Sequence, residues 1–343
     1  MLNNIRGINK ITKEIQISNN YPNENDVIAS LELAGNIHKE VRRYLQPKLK
    51  VGVKLIDIAH FIEEKTKELS NQNKSINKGI GFPVGLALNN CAAHWHPESD
   101  DDNTTFKKDD VLKIDFGVEV NSWIVDSAFT ITANPKYDIL LKAVKEATET
   151  GIKNAGVDVI INEWSASIKE VMESYEIDLD NNKYKVRPIT NLGGHNIVKG
   201  IIHGGIFLPP VPSSDKNLRF KEGVYAIETF GSTGEDKVKE TGESSLFRLN
   251  PNNQNLINVY KMETIKKFAN KIRNNFKTLP FTNRYVKVFD VNRYKDYLKI
   301  LTNNKILYSY PPLCIDKGYT AQYEHTIYIS ENKKIVFSNG EDY

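Results

Sequence analysis

The spacing of apolar residues along the chain changes from a helical period to a strand period. Apolar positions recur every three or four residues over 27–45 and over 55–69, which predicts two amphipathic helices. Over 111–120 and 123–132 the apolar positions alternate with other residues, and this is the period of β-strands. The first part of the chain is therefore expected to place two helices before a pair of strands.

The rest of the chain shows the same mixture of elements. Helices are predicted over 137–155 and 165–175, and strands over 184–191, 224–230, 319–330 and 333–338. Between these strands, from about residue 247 to residue 310, the composition shifts to Asn, Lys and Arg, and helical patterns occupy 256–276 and 294–303. This stretch is interpreted as an insertion. Because strands resume after it, the predicted fold class is α+β.

Composition and charge exclude several classes of protein. With 40% hydrophobic and 26% charged residues over 343 positions, the chain is close to the average soluble globular protein. The formal net charge of +3 gives no field strong enough to require a nucleic-acid or membrane partner. The basic residues of 261–277 are interpreted as a solvated helix face, with a ribosomal RNA contact as the alternative.

The location in the cell is inferred from cysteine content and from the amino-terminal residues. Only two cysteines occur, too few for a disulfide framework, so a reducing compartment is expected. The first residues lack the apolar segment of a secretory signal, and no stretch approaches the roughly 20 apolar residues of a membrane span. We therefore expect a cytoplasmic protein without a membrane partner.

Two aspartates interrupt the apolar strands at 111–120 and 123–132. Buried lone carboxylates are energetically expensive. If the strands form a hairpin with a two-residue loop at Val120 and Asn121, Asp115 lies directly opposite Asp126. Like charges so placed are destabilising unless a proton or a cation lies between them. A cation site is therefore predicted, and the alternative is that each aspartate caps a turn or pairs with a nearby lysine.

Three further residues enlarge this set. Glu228 and Glu324 lie within strand patterns, and His195 follows two glycines in NLGGHN, which permit a tight turn. A lone histidine is more often a core residue than a ligand, but four embedded acids favour the ligand interpretation. Four carboxylates and one imidazole suit two divalent ions of the Mn, Fe, Co or Zn type. Metal-assisted hydrolysis is the reaction class that such a pair indicates.

Other histidines are candidates for contact with a substrate. His94 and His203 lie in apolar or glycine-rich sequence, and either could donate a hydrogen bond to a substrate carbonyl. His96 is an alternative to His94, and spacing alone does not choose between them. The chain contains no P-loop, GxGxxG or GxSxG motif, so nucleotide chemistry is disfavoured.

Seven motifs in one order carry a resemblance to a known family. They are NNCAAHW, KIDFG, IVDSAF, NLGGHNI, VYAIETFGSTG, YPPL and YTAQYEHT. In this order they resemble methionine aminopeptidase type 2, over nearly everything after residue 27. The resemblance implies a pita-bread fold, in which two pseudo-symmetric halves surround a dinuclear metal centre. It also implies a catalytic domain in two parts, 27–245 and 311–343, and between them a helical insertion typical of type 2, at 246–310. Residues 1–26, which are rich in Asn, Lys and Ile, are interpreted from their composition as a polar amino-terminal tail.

The resemblance assigns roles to the five metal-binding candidates. Asp115 would chelate one ion, Asp126 and Glu324 would bridge both ions, and His195 with Glu228 would complete the second. Glu228 would also act as the proton shuttle for the attacking water. The implied cofactor is therefore two divalent ions, from among Mn, Co, Fe and Zn.

The resemblance also assigns the substrate contacts. His203 would contact the substrate carbonyl or the intermediate, and His94 would lie near the scissile bond. Phe82, Ile202 and Tyr310 would line the pocket for the methionine side chain, where an apolar slot accepts a thioether by contact rather than by charge.

Two residues depart from the family pattern. Leu246 stands where animal members carry a pocket histidine, and this affects the expected substrate and inhibitor preference. His96, directly after Trp95, also differs from the usual sequence at that place.

The function implied is removal of the initiator methionine from chains whose second residue is small. The partners would be nascent amino termini, with the ribosome as a place of action, and the chain is expected to be a monomer without a specific nucleic acid. Two alternatives are a catalytically silent pita-bread scaffold that binds protein or RNA, and a proline-directed peptidase of the same fold.

Overall fold

The structure, a computed structural model, describes residues 23–71 and 78–343. Most of the predicted polar tail, residues 1–22, lies outside the described residues. The helices are α1 (Glu24–Leu45), α2 (Leu55–Ser70), α3 (Asp138–Asn154), α4 (Ile161–Glu173), α5 (Glu263–Phe276), α6 (Asn283–Val286) and α7 (Tyr294–Asn303). Within the described ranges, no helix combines the length and the apolar character that crossing a membrane requires.

The strands include both short edge pieces and long central ones. They are β1 (Lys78–Leu88), β2 (Cys91–Ala93), β3 (Val111–Val120), β4 (Trp123–Thr132), β5 (Glu176–Leu179), β6 (Asn182–Lys185), β7 (Arg187–Pro188), β8 (Gly194–Ile197), β9 (Phe207–Leu208), β10 (Gly223–Ser232), β11 (Lys239–Glu240), β12 (Leu246–Leu249), β13 (Phe281–Thr282), β14 (Leu307–Tyr310), β15 (Leu313–Cys314), β16 (Thr320–Ile329) and β17 (Lys334–Val336).

The first helix begins inside the segment that was predicted to be a tail. Asn23 caps α1, because its side chain accepts a hydrogen bond from the Asn25 backbone N–H at 3.2 Å. Glu24 and Asp26 lie in the first turn, where negative charge is favourable next to the helix dipole. The prediction that the tail extends to residue 26 is therefore wrong by three residues, since a cap and two acids begin the helix.

Two sheets form the centre of the molecule, and each is covered by a pair of helices. One sheet has the order β1-β3-β4 and packs against α1 and α2. The other has the order β17-β16-β10-β8-β9 and packs against α3, while α4 packs on α3. A continuous buried apolar cluster runs through both halves. The predicted α+β class is confirmed.

The β3–β4 hairpin differs in register from the prediction. Its two-residue loop is at 121–122, one position later than predicted, and both loop residues adopt left-handed backbone, with φ of 53° and 70°. Two consecutive left-handed residues suit the tight turns that join twisted strands. Asp126 therefore lies opposite Gly117, and Asp115 lies opposite Ala128. The prediction that the two aspartates face each other directly is wrong. They are diagonal neighbours on the same face of the sheet.

Two predicted elements in the second half also change. The strand predicted over 184–191 is divided into β6 and β7, and Pro188 in β7 has no N–H to continue a ladder. The helix predicted over 256–276 begins only at Glu263, after a 3₁₀ turn at Gln254–Val259. The apolar pattern misled here because Val259 and Met262 are exposed.

The segment 246–310 has an apolar cluster of its own. Strands β12, β13 and β14 form a small sheet in the order β13-β12-β14, and the helices α5 to α7 pack with it. Its residue Arg284 is joined to Glu63 of α2 by a buried ion pair of 2.5 Å. The insertion is thus fixed to the helix layer of the first sheet.

The two central sheets meet along β4 and β16, where side-chain hydroxyls replace a strand ladder. The Asp126 backbone N–H donates to Thr326 Oγ1 at 2.7 Å, and the same hydroxyl donates back to the Asp126 carbonyl at 2.7 Å. Thr130 Oγ1 makes the equivalent pair with the Gln322 backbone, at 2.7 and 2.8 Å. Each threonine therefore satisfies one buried N–H and one buried carbonyl of the opposite strand.

We expect Thr326→Val to destabilise the protein, because it leaves the Asp126 backbone groups buried without partners. The expected loss is about 1–3 kcal/mol in the free energy of unfolding. The measurement is the midpoint of urea unfolding, with Thr326→Ser as the control that keeps the hydroxyl. If the valine variant is as stable as the serine variant, the hydroxyls do not hold the two sheets together.

Candidate metal centre

Five side chains from five strands converge between the two central sheets. They belong to two overlapping groups, in each of which the ligand atoms lie within 4.8 Å of one another. One group is Asp126, His195 and Glu324, and the other is Asp115, Glu228 and Glu324. The structure thus brings together all five residues that the sequence predicts as metal ligands. Glu324 belongs to both groups.

The strand registers explain how the carboxylates come so close. Glu228 of β10 lies directly opposite Glu324 of β16, so two acids face each other across neighbouring strands. Ala226 of β10 pairs with His195 of β8, which places the imidazole two residues from Glu228 along the same face. Like charges placed opposite each other are destabilising in a sheet. This register is therefore unfavourable without a compensating cation.

Burial and mutual repulsion perturb these acids strongly. Burial, with the charge of Asp126, raises the pKa of Asp115 well above its usual range. Burial and the neighbouring carboxylates raise the pKa values of Glu228 and Glu324 in the same direction. Both carboxylate oxygens of Glu324, and Asp115 Oδ1, are buried without a hydrogen-bond partner among the described residues. An oxygen-rich set with unpartnered acceptors and one imidazole fits divalent cations.

Gln322 is a site residue that sequence reasoning missed. Its Nε2 donates to Glu228 Oε1 at 2.7 Å and to Asp115 Oδ2 at 3.3 Å, and thus joins carboxylates from the two sheets. It lies two residues before Glu324 in β16, so both side chains share one face of the strand. The spacing of two residues from Glu324 could have indicated that Gln322 faces the same site. An amide is, however, not among the usual ligands of these ions, so Gln322 was not selected.

Side chains outside the ligand set fix the backbone of the strands that carry Asp126 and Glu324. Ser127 Oγ donates its only proton to the Glu324 carbonyl at 2.7 Å. In its second hydrogen bond, also of 2.7 Å, Ser127 Oγ must therefore accept, and the Tyr343 hydroxyl donates. The Arg42 guanidinium lies 4.3 Å from the centroid of the Tyr343 ring and pairs with Asp342 at 2.7 Å. Asp342 and Tyr343 therefore help to position β4 and β16, the strands that carry Asp126 and Glu324. Contacts behind the ligands commonly orient them at metal sites.

Three histidines border the carboxylates. His195 Nε2 is 3.4 Å from Asp126 Oδ2, and the His203 ring centroid is 4.4 Å from that of His195. The His94 ring lies edge-on to Tyr310 at 5.6 Å. Burial lowers the pKa of His94 to about 4, and burial with the nearby His195 lowers the pKa of His203 well below its usual value. Both imidazoles are therefore neutral near pH 7 and can donate a hydrogen bond to a carbonyl oxygen.

A cavity of about 470 Å³ opens onto the carboxylates. Its wall includes the three predicted pocket residues, Phe82, Ile202 and Tyr310. A Cβ at Gly117 would lie only 2.2 Å from the Phe82 ring, so the absence of a side chain there gives this ring its place. Leu246 also lines the cavity, and it lies opposite Tyr310 in the small sheet of the insertion.

The chain resembles known proteins over nearly its whole length. Residues 29–331 match metallopeptidase family M24. Methionine aminopeptidase 2-2 of Aspergillus niger is 43% identical over an alignment of 326 positions, and the match covers 93% of this chain and 75% of that protein. Solved structures also share the fold, among them the following two. A thermophilic Arx1 has a TM-score of 0.76 at 19% identity and covers 93% of this chain and 92% of its own.

The other structure is a methionine aminopeptidase of Thermotoga maritima. It has a TM-score of 0.60 at 15% identity, and the match covers 93% of this chain and 98% of the other. These likenesses confirm the predicted pita-bread fold.

We expect the metal-free protein to lose stability as the pH rises. Asp115, Glu228 and Glu324 have pKa values raised above those of the unfolded chain, so their contribution is present at low pH and is lost when they ionise. The measurement is the melting temperature of chelator-treated protein between about pH 5 and about pH 8, with and without Mn²⁺.

In that experiment the stabilisation by Mn²⁺ should grow with pH, because only ionised carboxylates bind the ion. The control is Glu324→Gln, which removes one of the repelling charges. It should make the metal-free protein less sensitive to pH and reduce the shift caused by Mn²⁺. A pH-independent melting temperature in the metal-free wild type would contradict the raised pKa values.

Proposed function

The chain belongs to metallopeptidase family M24, within which it is a type 2 methionine aminopeptidase, and on this premise we propose that it removes the initiator methionine from nascent proteins with a small second residue. The observation that carries the proposal is the position of the carboxylate cluster. It lies at one wall of an apolar cavity whose other walls suit an unbranched thioether.

We propose that the centre binds two divalent ions, from among Mn, Co, Fe and Zn. Asp115 would hold one ion, Asp126 and Glu324 would bridge, and His195 with Glu228 would hold the other. The presence of Glu324 in both ligand groups supports its bridging role. Glu228 groups with Asp115 and Glu324 rather than with His195, so its place beside His195 rests on the family resemblance. When bound, such ions lower the pKa of a water and polarise a carbonyl.

The protein's own residues supply the proton transfer and the orientation. Glu228 would take the proton of the attacking water, while the Gln322 amide fixes its Oε1 at 2.7 Å. His203, kept neutral by burial, would donate to the substrate carbonyl oxygen. His94 would lie beside the scissile bond. Phe82, Ile202 and Tyr310 would contact the methionine side chain and exclude water from it.

The environment of the reaction follows from the same proposal. The substrate would be the amino terminus of a nascent polypeptide in the cytoplasm, at or near the ribosome, and the enzyme would act as a monomer. Residues 246–310 would form the type 2 insertion. The complete ligand set speaks against a catalytically silent scaffold, because a binding surface alone does not need four converging carboxylates.

The proposal is tested with peptides after the protein has been stripped of metal and reloaded with Mn, Co, Zn or Fe. We expect metal-dependent release of methionine from Met-Ala-Ser and little release from Met-Leu-Ser, because only a small second side chain fits beside the centre. An Ala-Pro peptide serves as the comparison. Cleavage of that peptide alone would assign the chain to the proline-directed relatives, and folded protein without cleavage under any metal would favour the scaffold.

We expect His203→Ala to lose most of its turnover while it keeps its metal. The substitution removes a donor to the substrate carbonyl but no predicted ligand, and such losses are typically about 10²–10⁴-fold in rate. The measurements are kcat for Met-Ala-Ser and the bound metal by elemental analysis. His60→Ala is the matched control, since this partly exposed imidazole pairs with Asp100 on the surface. Loss of metal in His203→Ala would contradict the assigned role.

A further inference from the structure

Arg248 is a buried cation without a carboxylate partner. Its side chain belongs to β12 and is 3% exposed. Arg284, in the same insertion, pairs with Glu63 at 2.5 Å, whereas no carboxylate in the described part of the chain forms an ion pair with Arg248. Arginines are rarely buried to this extent unless they are paired, because an uncompensated buried charge is expensive. The interior position of Arg248 therefore requires another compensating group.

Two tyrosines of β14 supply part of that compensation. Arg248 lies opposite Tyr308 in the β12–β14 ladder, and its Cζ is 5.3 Å from the centroid of the Tyr308 ring, a cation–π distance. Burial raises the pKa of Tyr310, and the charge of Arg248 and its contact with the phenol oxygen oppose that rise. One ring face and one neutral hydroxyl do not use all the N–H donors of a guanidinium. Some of its donors are therefore free for a ligand.

The guanidinium faces the cavity that holds the carboxylate cluster. Arg248 belongs to the wall of this cavity, and among its nitrogens only Nε is enclosed without a partner, so the two terminal nitrogens are the part that a bound group can reach. Leu246 lies two residues earlier on the same face of β12, opposite Tyr310, which lines the proposed methionine slot. Together with burial and His195, Arg248 lowers the pKa of His203. The free donors thus border the slot on the side of the insertion.

We propose that Arg248 donates hydrogen bonds to the sulfoxide oxygen of an oxidised first methionine, so that the enzyme also removes initiator methionine sulfoxide. This proposal rests on the proposed aminopeptidase function. Oxidation adds one oxygen to the thioether, which makes the side chain polar and chiral but gives it no net charge. The thioether itself is only a weak acceptor, so unoxidised methionine leaves the donors of Arg248 without a strong partner.

A first side chain that ends in a carboxylate is the alternative acceptor. Glutamate has a similar length, and its charge suits a guanidinium. It would, however, enter a slot walled by Phe82, Ile202 and Leu246 and share the cavity with the four carboxylates of the cluster. Desolvation and repulsion between like charges both oppose this ligand. A neutral sulfoxide avoids the repulsion and still offers a strong acceptor oxygen.

The test compares two peptides that differ by one oxygen. Mn-loaded wild type and Arg248→Met are assayed with Met-Ala-Ser and with the same peptide carrying methionine sulfoxide, each sulfoxide epimer separately. The quantity compared is the ratio of kcat/KM for the sulfoxide to that for the thioether, because a loss of folding or of metal affects both peptides alike. We expect the substitution to lower this ratio by about 10-fold to about 100-fold, the effect of one hydrogen bond from a charged donor. Wild type should also prefer one epimer, and Arg248→Met should not.

Two further variants serve as comparisons. Arg293→Met is the matched control, since Arg293 is an exposed arginine of the same insertion with its Cζ 5.4 Å from the Tyr297 ring centroid, outside the cavity wall. It should leave the ratio unchanged. Arg248→Lys keeps a charge and donors but loses the planar fork, so it should give an intermediate ratio.

Several outcomes would overturn the proposal. An unchanged ratio in Arg248→Met, with both epimers cleaved alike, would limit Arg248 to its contact with Tyr308. Cleavage of Glu-Ala-Ser that depends on Arg248, with neither sulfoxide epimer cleaved, would assign the guanidinium to a carboxylate. Cleavage of Met-Ala-Ser alone by wild type would leave the proposed function intact and exclude this extension of it.

Failure of the proposed function is distinguishable from these results. In that case wild type would cleave neither peptide with any metal. Calorimetric titration with methionine and with methionine sulfoxide then decides the role of Arg248. Weaker binding of the sulfoxide alone by Arg248→Met would support recognition of the oxygen, and an equal change for both ligands would refute it.

Discussion

The mutual repulsion of four converging carboxylates is the constraint on which the rest of the structure depends. Their neighbours and their burial both favour the neutral acids, as the raised pKa values of Asp115, Glu228 and Glu324 show. A flexible chain would separate these groups. Here they are placed on long central strands whose ladders and apolar faces fix them, so the energy gained on folding elsewhere holds them together until a cation compensates the charge.

The centre belongs equally to the two sheets, and this accounts for the contacts between them. Asp115 and Asp126 come from one hairpin, whereas Glu228 and Glu324 come from the neighbouring antiparallel pair of the other sheet. Any sliding of β4 along β16 would separate the two groups. The threonine hydroxyls that clamp both backbones, and the Gln322 amide that joins Asp115 to Glu228, prevent such sliding at the places where it would matter.

The ligand set could be predicted from the sequence because acids inside apolar strand patterns are rare and expensive. The bounds predicted for β3 and β4 also agree with the structure. Their pairing could not be obtained in the same way, since it depends on which two residues of the loop adopt left-handed backbone. The loop lies one position later than predicted, which changes the strand pairing by two residues. Asp115 and Asp126 therefore still lie on the same face of the sheet, and the prediction of a shared cation site does not depend on the incorrect pairing. Gln322 escaped notice because its role depends on contacts between two sheets, which periodicity within one strand does not reveal.

The carboxylates and one side of the cavity wall belong to different parts of the fold. The carboxylates lie on the two central sheets, whereas Leu246 and Tyr310 enter the cavity from paired strands of the insertion, which has an apolar cluster of its own. A substitution on the insertion side can reshape the wall without touching a ligand. The position of Leu246 is an example, because its strand partner is Tyr310 rather than any member of the cluster. A change on the insertion side of the cavity wall therefore leaves the ladders that hold the carboxylates intact.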